Sequence, residues 1–159
     1  MSHLYQSPNL PYRATQHRVE RIASSPLIVV QEAFELWNRH DWDAFTRYIH
    51  PAIRAVDRQP PIDQRETIDS RAAYMKATLD LVEMFDDARM EFESVTEEGD
   101  HVICDVFYCG IGPSSGVPTR QHQIDVYRVA DGVIVEAECG FRTIGEARDE
   151  LEALAPNTD

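Results

Sequence analysis

The chain lacks any apolar run approaching the ~20 residues that cross a bilayer. Its opening, MSHLYQSPNLPYR, has no apolar stretch of the kind that forms the heart of a secretory leader. It also lacks a Lys/Arg cluster. Fifteen basic residues stand against 28 acidic ones, for a formal net charge of -13. That balance argues against nucleic-acid or anionic-membrane partners, because phosphate binding depends on clustered positive charge. Cysteine is scarce: Cys104, Cys109 and Cys139 show no C-x-x-C spacing. An odd count without a leader favours free thiols in a reducing compartment, so a soluble, cytoplasmic protein is expected. No His, Cys, Asp and Glu set has metal-ligand spacing. Gly110, Gly112 and Gly116 fall in a β-loop rather than between a strand and a helix, so no nucleotide cradle is expected. These absences together predict no cofactor and no metal.

What the chain does contain is a single domain's worth of alternating patterns in 159 residues. Residues 1–24 read as an extension, with Pro8 and Pro11 opposing regular structure and a short helix possible over 14–23. The domain is expected over 25–155. Ser25 and Pro26 give a helix start, followed by Val30, Ala33, Phe34 and Trp37 at helical spacing. Asp41 is placed to cap a second short helix carrying Trp42, Phe45 and Ile49, with Pro51 at its end and His50 just before. A strand over 53–57 leads into a polar, proline-containing stretch. Asp69 or Ser70 then caps a third helix bearing Tyr74, Ala77, Thr78, Leu81 and Phe85. From Ala88 the period changes to two, giving strands over 88–95, 101–109, 121–129 and 133–141, and a last helix over 144–154. Helices first and a strand meander afterwards predict an α+β fold: a curved antiparallel sheet wrapped as a conical barrel around three N-terminal helices, with a C-terminal helix.

The hairpin DVYRVADGVIVEAE, 125–138, poses the functional question. Asp131-Gly132 is a strong turn signal, yet the strands carry Asp125, Glu136 and Glu138. A two-residue turn would set Asp125 opposite Glu138, a like-charge pairing that costs up to about 1 kcal/mol. A three-residue loop, 130–132, with Gly132 as a bulge, shifts the pairing by one. Asp125, Tyr127 and Val129 then share the concave face with Val135, Ala137, Cys139 and Phe141. The convex face takes Ile124, Val126, Arg128, Ile134, Glu136 and Glu138. The second register is preferred, and it leaves Asp125 as the acid on an apolar face. Burial would raise its pKa, as in a general acid/base; a structural Asp tied to a backbone or Tyr hydroxyl is the alternative reading.

Other candidates follow from parity. Tyr108 shares a face with Val102, Cys104 and Val106, and its hydroxyl or that of Tyr127 could polarise a carbonyl or simply satisfy a local hydrogen bond. Asp57, at the end of the first strand, could partner Asp125 or cap the loop after it. Gln123, Trp37, Tyr74 and Cys139 are candidate pocket liners. Parity puts His101 and His122 off the concave face. Ile103, Phe107, Ile124, Val126 and Ile134 form an apolar stripe on the convex face, which suggests a two-fold homodimer through that surface.

The stretches FELWNRHDWDAFTRYIHPAI (34–53), SRAAYMKATL (70–79), TEEGDHVICDVF (96–107) and DVYRVADGVIVE (125–136) together resemble the nuclear-transport-factor-2-like superfamily, and within it the SnoaL-like polyketide cyclases. The resemblance implies a conical apolar pocket for a small hydrophobic molecule. It also implies isomerase, cyclase or dehydratase chemistry without a cofactor, although many members only bind ligands. In SnoaL-like cyclases an acid seven residues before the hairpin Gly serves as acid/base; that position here is Asp125. Cyclase-like members often carry His and Asp five and seven residues after that Gly, where this chain has Ala137 and Cys139. The acidic and basic pattern of limonene-epoxide hydrolases is also absent, with Gln123 and Cys139 at the compared positions. Scytalone-dehydratase-like members use a pair of pocket histidines, and His50, His101 and His122 do not supply it. The resemblance therefore implies an enzyme in which Asp125 moves a proton and Tyr108, Tyr127 or Asp57 orients a carbonyl-bearing substrate. A binding module with the same pocket is the alternative, and a dimerising accessory protein with a filled interior is a third.

Overall fold

The computed structural model describes residues 25–58 and 67–154. The expected extension, most of the polar stretch after the first strand and the chain's last residues lie outside the described residues. Helix α1, Pro26–Asn38, begins where Pro26 supplies a first-turn residue whose missing N–H needs no partner. Ser25 occupies the cap position without capping through its own side chain. Glu97, distant in sequence, does this instead: it accepts from the Leu27 N–H at 3.2 Å and from Ser25 Oγ at 3.4 Å, setting a carboxylate at the positive end of the helix. Val29, Val30, Ala33, Phe34 and Trp37 form the buried stripe. Asn38 closes the helix by pairing both ways with the Met90 backbone, donating to its carbonyl at 2.9 Å and accepting from its N–H at 2.8 Å. His40, at φ 55°, breaks the helical path, and Asp41 accepts from the Ala44 N–H to start α2, Trp42–Thr46.

Ile49 and His50 do not continue that helix; they open strand β1, Ile49–Asp57. The reason is tertiary. The Tyr48 carbonyl accepts from the Ile134 N–H at 2.7 Å, and Ile49 is in register with Ile134. The pairing then shifts between Ile49 and Arg54, so Pro51 sits where its missing N–H disrupts nothing. Two residues, Thr67–Ile68, form β2. Ser70 accepts from the Ala73 N–H at 3.1 Å and begins α3, Arg71–Glu83. Strands β3 (Asp86–Glu98), β4 (His101–Ile111), β5 (Pro118–Ala130) and β6 (Val133–Phe141) follow, then α4, Ile144–Leu154.

The strands form one six-stranded sheet in the order β2-β1-β6-β5-β4-β3. Only β1 and β6 pair parallel; the other neighbours are antiparallel. The terminal strands β2 and β3 do not pair, so the sheet is open and the expected barrel is not closed. Phe34, Phe45, Ile53, Val106, Tyr127 and other buried side chains fill the space between the concave face and the N-terminal helices.

The hairpin puts Asp125 on the expected face by a different device and in a different pairing: Asp125 lies opposite Cys139, where a 130–132 loop would have set it opposite Ala137. Ala130 pairs with Val133 across a two-residue turn, with Asp131 at φ 52° and Gly132 at φ 77°, the geometry of the primed turns. The shift occurs one step later: Val129 faces Ile134 but Arg128 faces Glu136, leaving Val135 as the bulge. A second bulge falls at Gly140, because Asp125 faces Cys139 while Ile124 faces Phe141. The two shifts correct the face assignments at the ends of β6. Ile134 belongs to the concave core, and Phe141 to a convex cluster with Ile103, Ile124, Val126 and Ala147.

That cluster is covered by the chain itself. Ile144, Ala147 and Leu151 of α4 pack on it. Ile103, Ile124 and Val126 are buried, each contributing roughly 1.5–3 kcal/mol relative to exposure. The apolar stripe from which a homodimer was expected is thus largely intramolecular core, and Phe107 lies under Arg120, whose guanidinium is 3.4 Å from the ring centre. Arg58 fastens α4: it reaches Glu138 at 2.7 Å, Glu146 at 3.8 Å and Glu150 at 4.0 Å, and it lies over the Phe141 ring at 4.4 Å. No helix among the described residues is long and apolar enough to cross a membrane.

Candidate functional site

The inner-facing positions of β4, β5 and β6 converge on Asp125. Cys104 on β4 and Cys139 on β6 are its cross-strand neighbours, with Tyr127 two residues along β5. Asp125 is 0% exposed, the one charged or polar residue among the described residues to be so enclosed. Four donors surround its carboxylate. Tyr108 Oη donates to Oδ2 at 2.7 Å and Tyr127 Oη donates to the same oxygen at 3.3 Å. Gln123 Nε2 donates to Oδ1 at 2.8 Å, and the Gly140 N–H to Oδ1 at 3.0 Å. Each oxygen therefore carries two donors, which uses its lone pairs.

Two effects compete for the proton. Burial raises the Asp125 pKa, while the donors from Tyr108, Gln123, Gly140 and Tyr127 pull it down; burial prevails and the net direction is upward. Around it, burial chiefly, with the Asp125 and Cys139 charges next, holds Tyr74, Tyr108 and Tyr127 well above the usual phenol range. Cys104 and Cys139 are raised for the same reason. The site thus presents neutral phenols and thiols around one carboxylate. These thiols are poor nucleophiles.

The structure brings Tyr108, Tyr127 and Gln123 directly onto Asp125, and places Cys139 beside Tyr127, whose oxygen is 3.9 Å from Sγ. Tyr74 approaches from α3 and shares the electrostatic environment of Asp125, Tyr108 and Tyr127. Asp57 is exposed; it lies opposite Cys139 on β1 and its charge reaches that thiol. Trp37 is core and makes its ring contacts with Trp42 and His40. His50 accepts from the Ala52 N–H through Nδ1 at 3.0 Å on β1, and His122 bonds Asp105 on the outer face at 2.5 Å.

Sequence reasoning did not single out Gly140. The available signal was a glycine inside a β-prone run, which marks a bulge or a close backbone approach. Here it does both, turning one N–H onto the carboxylate.

Asp125 was expected inside the concave face, and it is enclosed there. Two hollows among the described residues lie away from it. One of about 460 Å³ runs between the convex face and α4, lined by Arg54, Val56, Val126, Arg128, Leu151 and Leu154 among others. The other, about 320 Å³, lies between α1 and β3 at Val30, Phe34, Phe92 and Val95. Tyr74, Tyr108, Gln123 and Cys139, grouped around Asp125, are themselves half-buried.

A family model described as SnoaL-like domain matches residues 30–137. Among solved structures, an NTF2-like protein from Burkholderia thailandensis E264 is 25% identical, with 82% of this chain and 98% of that chain covered at a TM-score of 0.63. A candidate SnoaL-like polyketide cyclase from Jannaschia sp. CCS1 is 20% identical over 85% of this chain and 96% of that one, TM-score 0.63. IdmH from Streptomyces antibioticus, a candidate polyketide cyclase, is 19% identical over 72% and 90%, TM-score 0.64. No curated protein matches the chain. These similarities concern the fold; the side chains around Asp125 are described by this chain alone.

Proposed function

The chain belongs to the SnoaL-like domain family, and on that premise we propose that it is a cofactor-free acid/base enzyme. It would isomerise, cyclise or dehydrate a small hydrophobic, carbonyl-bearing molecule, with Asp125 as the proton carrier. The observation that supports this most is the fully enclosed Asp125, raised in pKa and set among neutral hydroxyl donors.

The proton path follows from the saturation of the carboxylate. A substrate C–H can reach Asp125 only by displacing a donor. Tyr127 is buried and Gly140 donates through its backbone, so the half-buried Tyr108 and Gln123 are the ones to move. The carboxylate takes the proton α to the carbonyl, and the electron pair of that C–H bond passes to the carbonyl oxygen as an enolate. Neutral Asp125 no longer demands four donors, which frees the Tyr108 hydroxyl to hold the enolate oxygen. Return of the proton from Asp125 to another carbon is isomerisation; attack of the enolate carbon on a second carbonyl, whose oxygen takes that proton, is cyclisation; expulsion of a β-hydroxyl that takes that proton and leaves as water is dehydration. Asp57, exposed at the strand end, takes no proton in this scheme.

A non-catalytic binding module of the same fold is the second reading. It is favoured by the complete occupation of the Asp125 lone pairs and by Ala137 and Cys139 at the positions where cyclase-like members carry His and Asp. Turnover of a panel of cyclic enones and 1,3-diketones, followed by absorbance, separates the two. Loss of about 10²–10⁴-fold in kcat for Asp125→Asn, with binding retained, supports the enzyme. Equal turnover by the variant defeats it, and saturable binding without turnover by the unaltered protein favours the module.

A further inference from the structure

Of the tyrosines around Asp125, two are committed to it: Tyr108 at 2.7 Å and Tyr127 at 3.3 Å. Tyr74 is different. Its backbone carbonyl accepts from Thr78 Oγ1 at 2.9 Å, but its hydroxyl has no hydrogen-bond partner among the described residues. No fully sealed side-chain oxygen or nitrogen among them is left without a partner, so the Tyr74 oxygen sits at the margin of the core, where burial is still the largest influence on it. A phenol with a spare donor at the edge of the core can receive an acceptor atom.

The element that carries it is the loosest wall of the concave layer. Helix α3 has no fully buried residue, whereas α1 has five. Its inner stripe, Tyr74, Met75, Thr78 and Val82, is only half-buried. Leu79 and Leu81 flank that stripe on either side, 36% and 37% exposed. The apolar arc of the helix is therefore wider than the surface it presently covers. A helix seated this way can shift against the sheet without disrupting a packed core.

We propose that Tyr74 is the specificity-determining donor of this site, holding the oxygen of a compact, otherwise apolar ligand, and that α3 is the wall that moves to admit it. This rests on the reading of Asp125 as the functional centre but assigns Tyr74 a separate task. The ligand class is a small ring system with one acceptor oxygen, because one spare donor recognises one acceptor. A molecule of the same shape without the oxygen leaves the hydroxyl to water and gains only apolar contact.

The test compares 1-indanone with its oxygen-free counterpart indane by calorimetric titration. The unaltered protein binds 1-indanone about tenfold more tightly than indane, and Tyr74→Phe erases that preference while indane affinity stays the same. Absence of a preference in the unaltered protein overturns the proposal, as does a preference that survives in Tyr74→Phe. Amide exchange on the unaltered protein gives an independent readout should the variant fail to fold: 1-indanone slows exchange over 74–84 more than over α1, and equal or no slowing overturns the moving wall. Failure of the catalytic reading looks different, since Asp125→Asn would then keep full turnover whatever Tyr74→Phe does to the oxygen preference.

Discussion

Gly140 donates its backbone N–H to Asp125 Oδ1 at 3.0 Å from a φ of 95°. A side chain is strained at that φ, and the bulge that places the donor depends on it. Gly140→Ala is expected to cost about 1–3 kcal/mol of stability, read from urea denaturation. It should also raise the Asp125 pKa further, because a donor that lowers it is weakened. Carbon-13 titration of the side-chain carboxyl measures that shift, and a downward move would contradict the geometry.

Asp125 also leaves a signature in stability against pH. Its folded pKa lies above its ordinary one, so between the two values the folded state holds the proton more tightly than the unfolded chain. Stability from this group is greatest below about pH 4, falls as pH rises through the raised folded value, and is flat above it. Asp125→Asn removes that slope. The unfolding free energy of the unaltered protein minus that of the variant should therefore decline with rising pH across this window. An upward trend would mean the donors, not burial, dominate.

Alkaline titration offers a check on the phenols. Tyr48, buried in part and donating to Glu32 Oε2 at 2.7 Å, is pushed up to about 12, and Tyr74, Tyr108 and Tyr127 stand well above the usual range. Ultraviolet difference spectra at pH 10.5 should show these four still protonated in the folded protein, and all six tyrosines titrating near 10 in urea. Because the folded pKa values are raised, the stability they contribute is intact below about pH 10 and lost above it.

Arg58→Met tests the fastening of α4. The substitution keeps the stem and removes the guanidinium that reaches Glu138, Glu146 and Glu150 and covers Phe141. A loss of about 1–2 kcal/mol is expected for these partly exposed pairs. Amide exchange should accelerate over 144–154 and leave α1 unchanged.

The order of elements and the inward turn of Asp125 were legible because each had a local signature: Ser70 and Asp41 at helix starts, a change of period at Ala88, and a like-charge clash between Asp125 and Glu138. The device behind the register was not. A bulge at Gly132 and a bulge at Val135 put the same side chains from Arg128 to Asp125 on the same face with partners two residues apart, and alternation alone cannot separate them. Parity also failed past each bulge, which is why Ile134 and Phe141 exchanged faces. The cover over the convex stripe was present in the sequence as Ile144, Ala147 and Leu151 at helical spacing, read as a helix but not matched to the surface it would occupy. The start of β1 at Ile49 depends on the remote Ile134, and the cap of α1 on the remote Glu97; no local pattern carries either.

The two irregularities in β6 stand five residues apart, at Val135 and Gly140. Each absorbs one residue of mismatch, so the four positions between them, 136–139, form a cassette whose phase is independent of both the turn before it and the helix after it. Within it Cys139 faces Asp125 and Ala137 faces Tyr127, so the wall of the carboxylate's enclosure takes its phase from the two bulges and not from the turn. The strand thereby sets the site's alignment in a segment separate from the one that closes the hairpin.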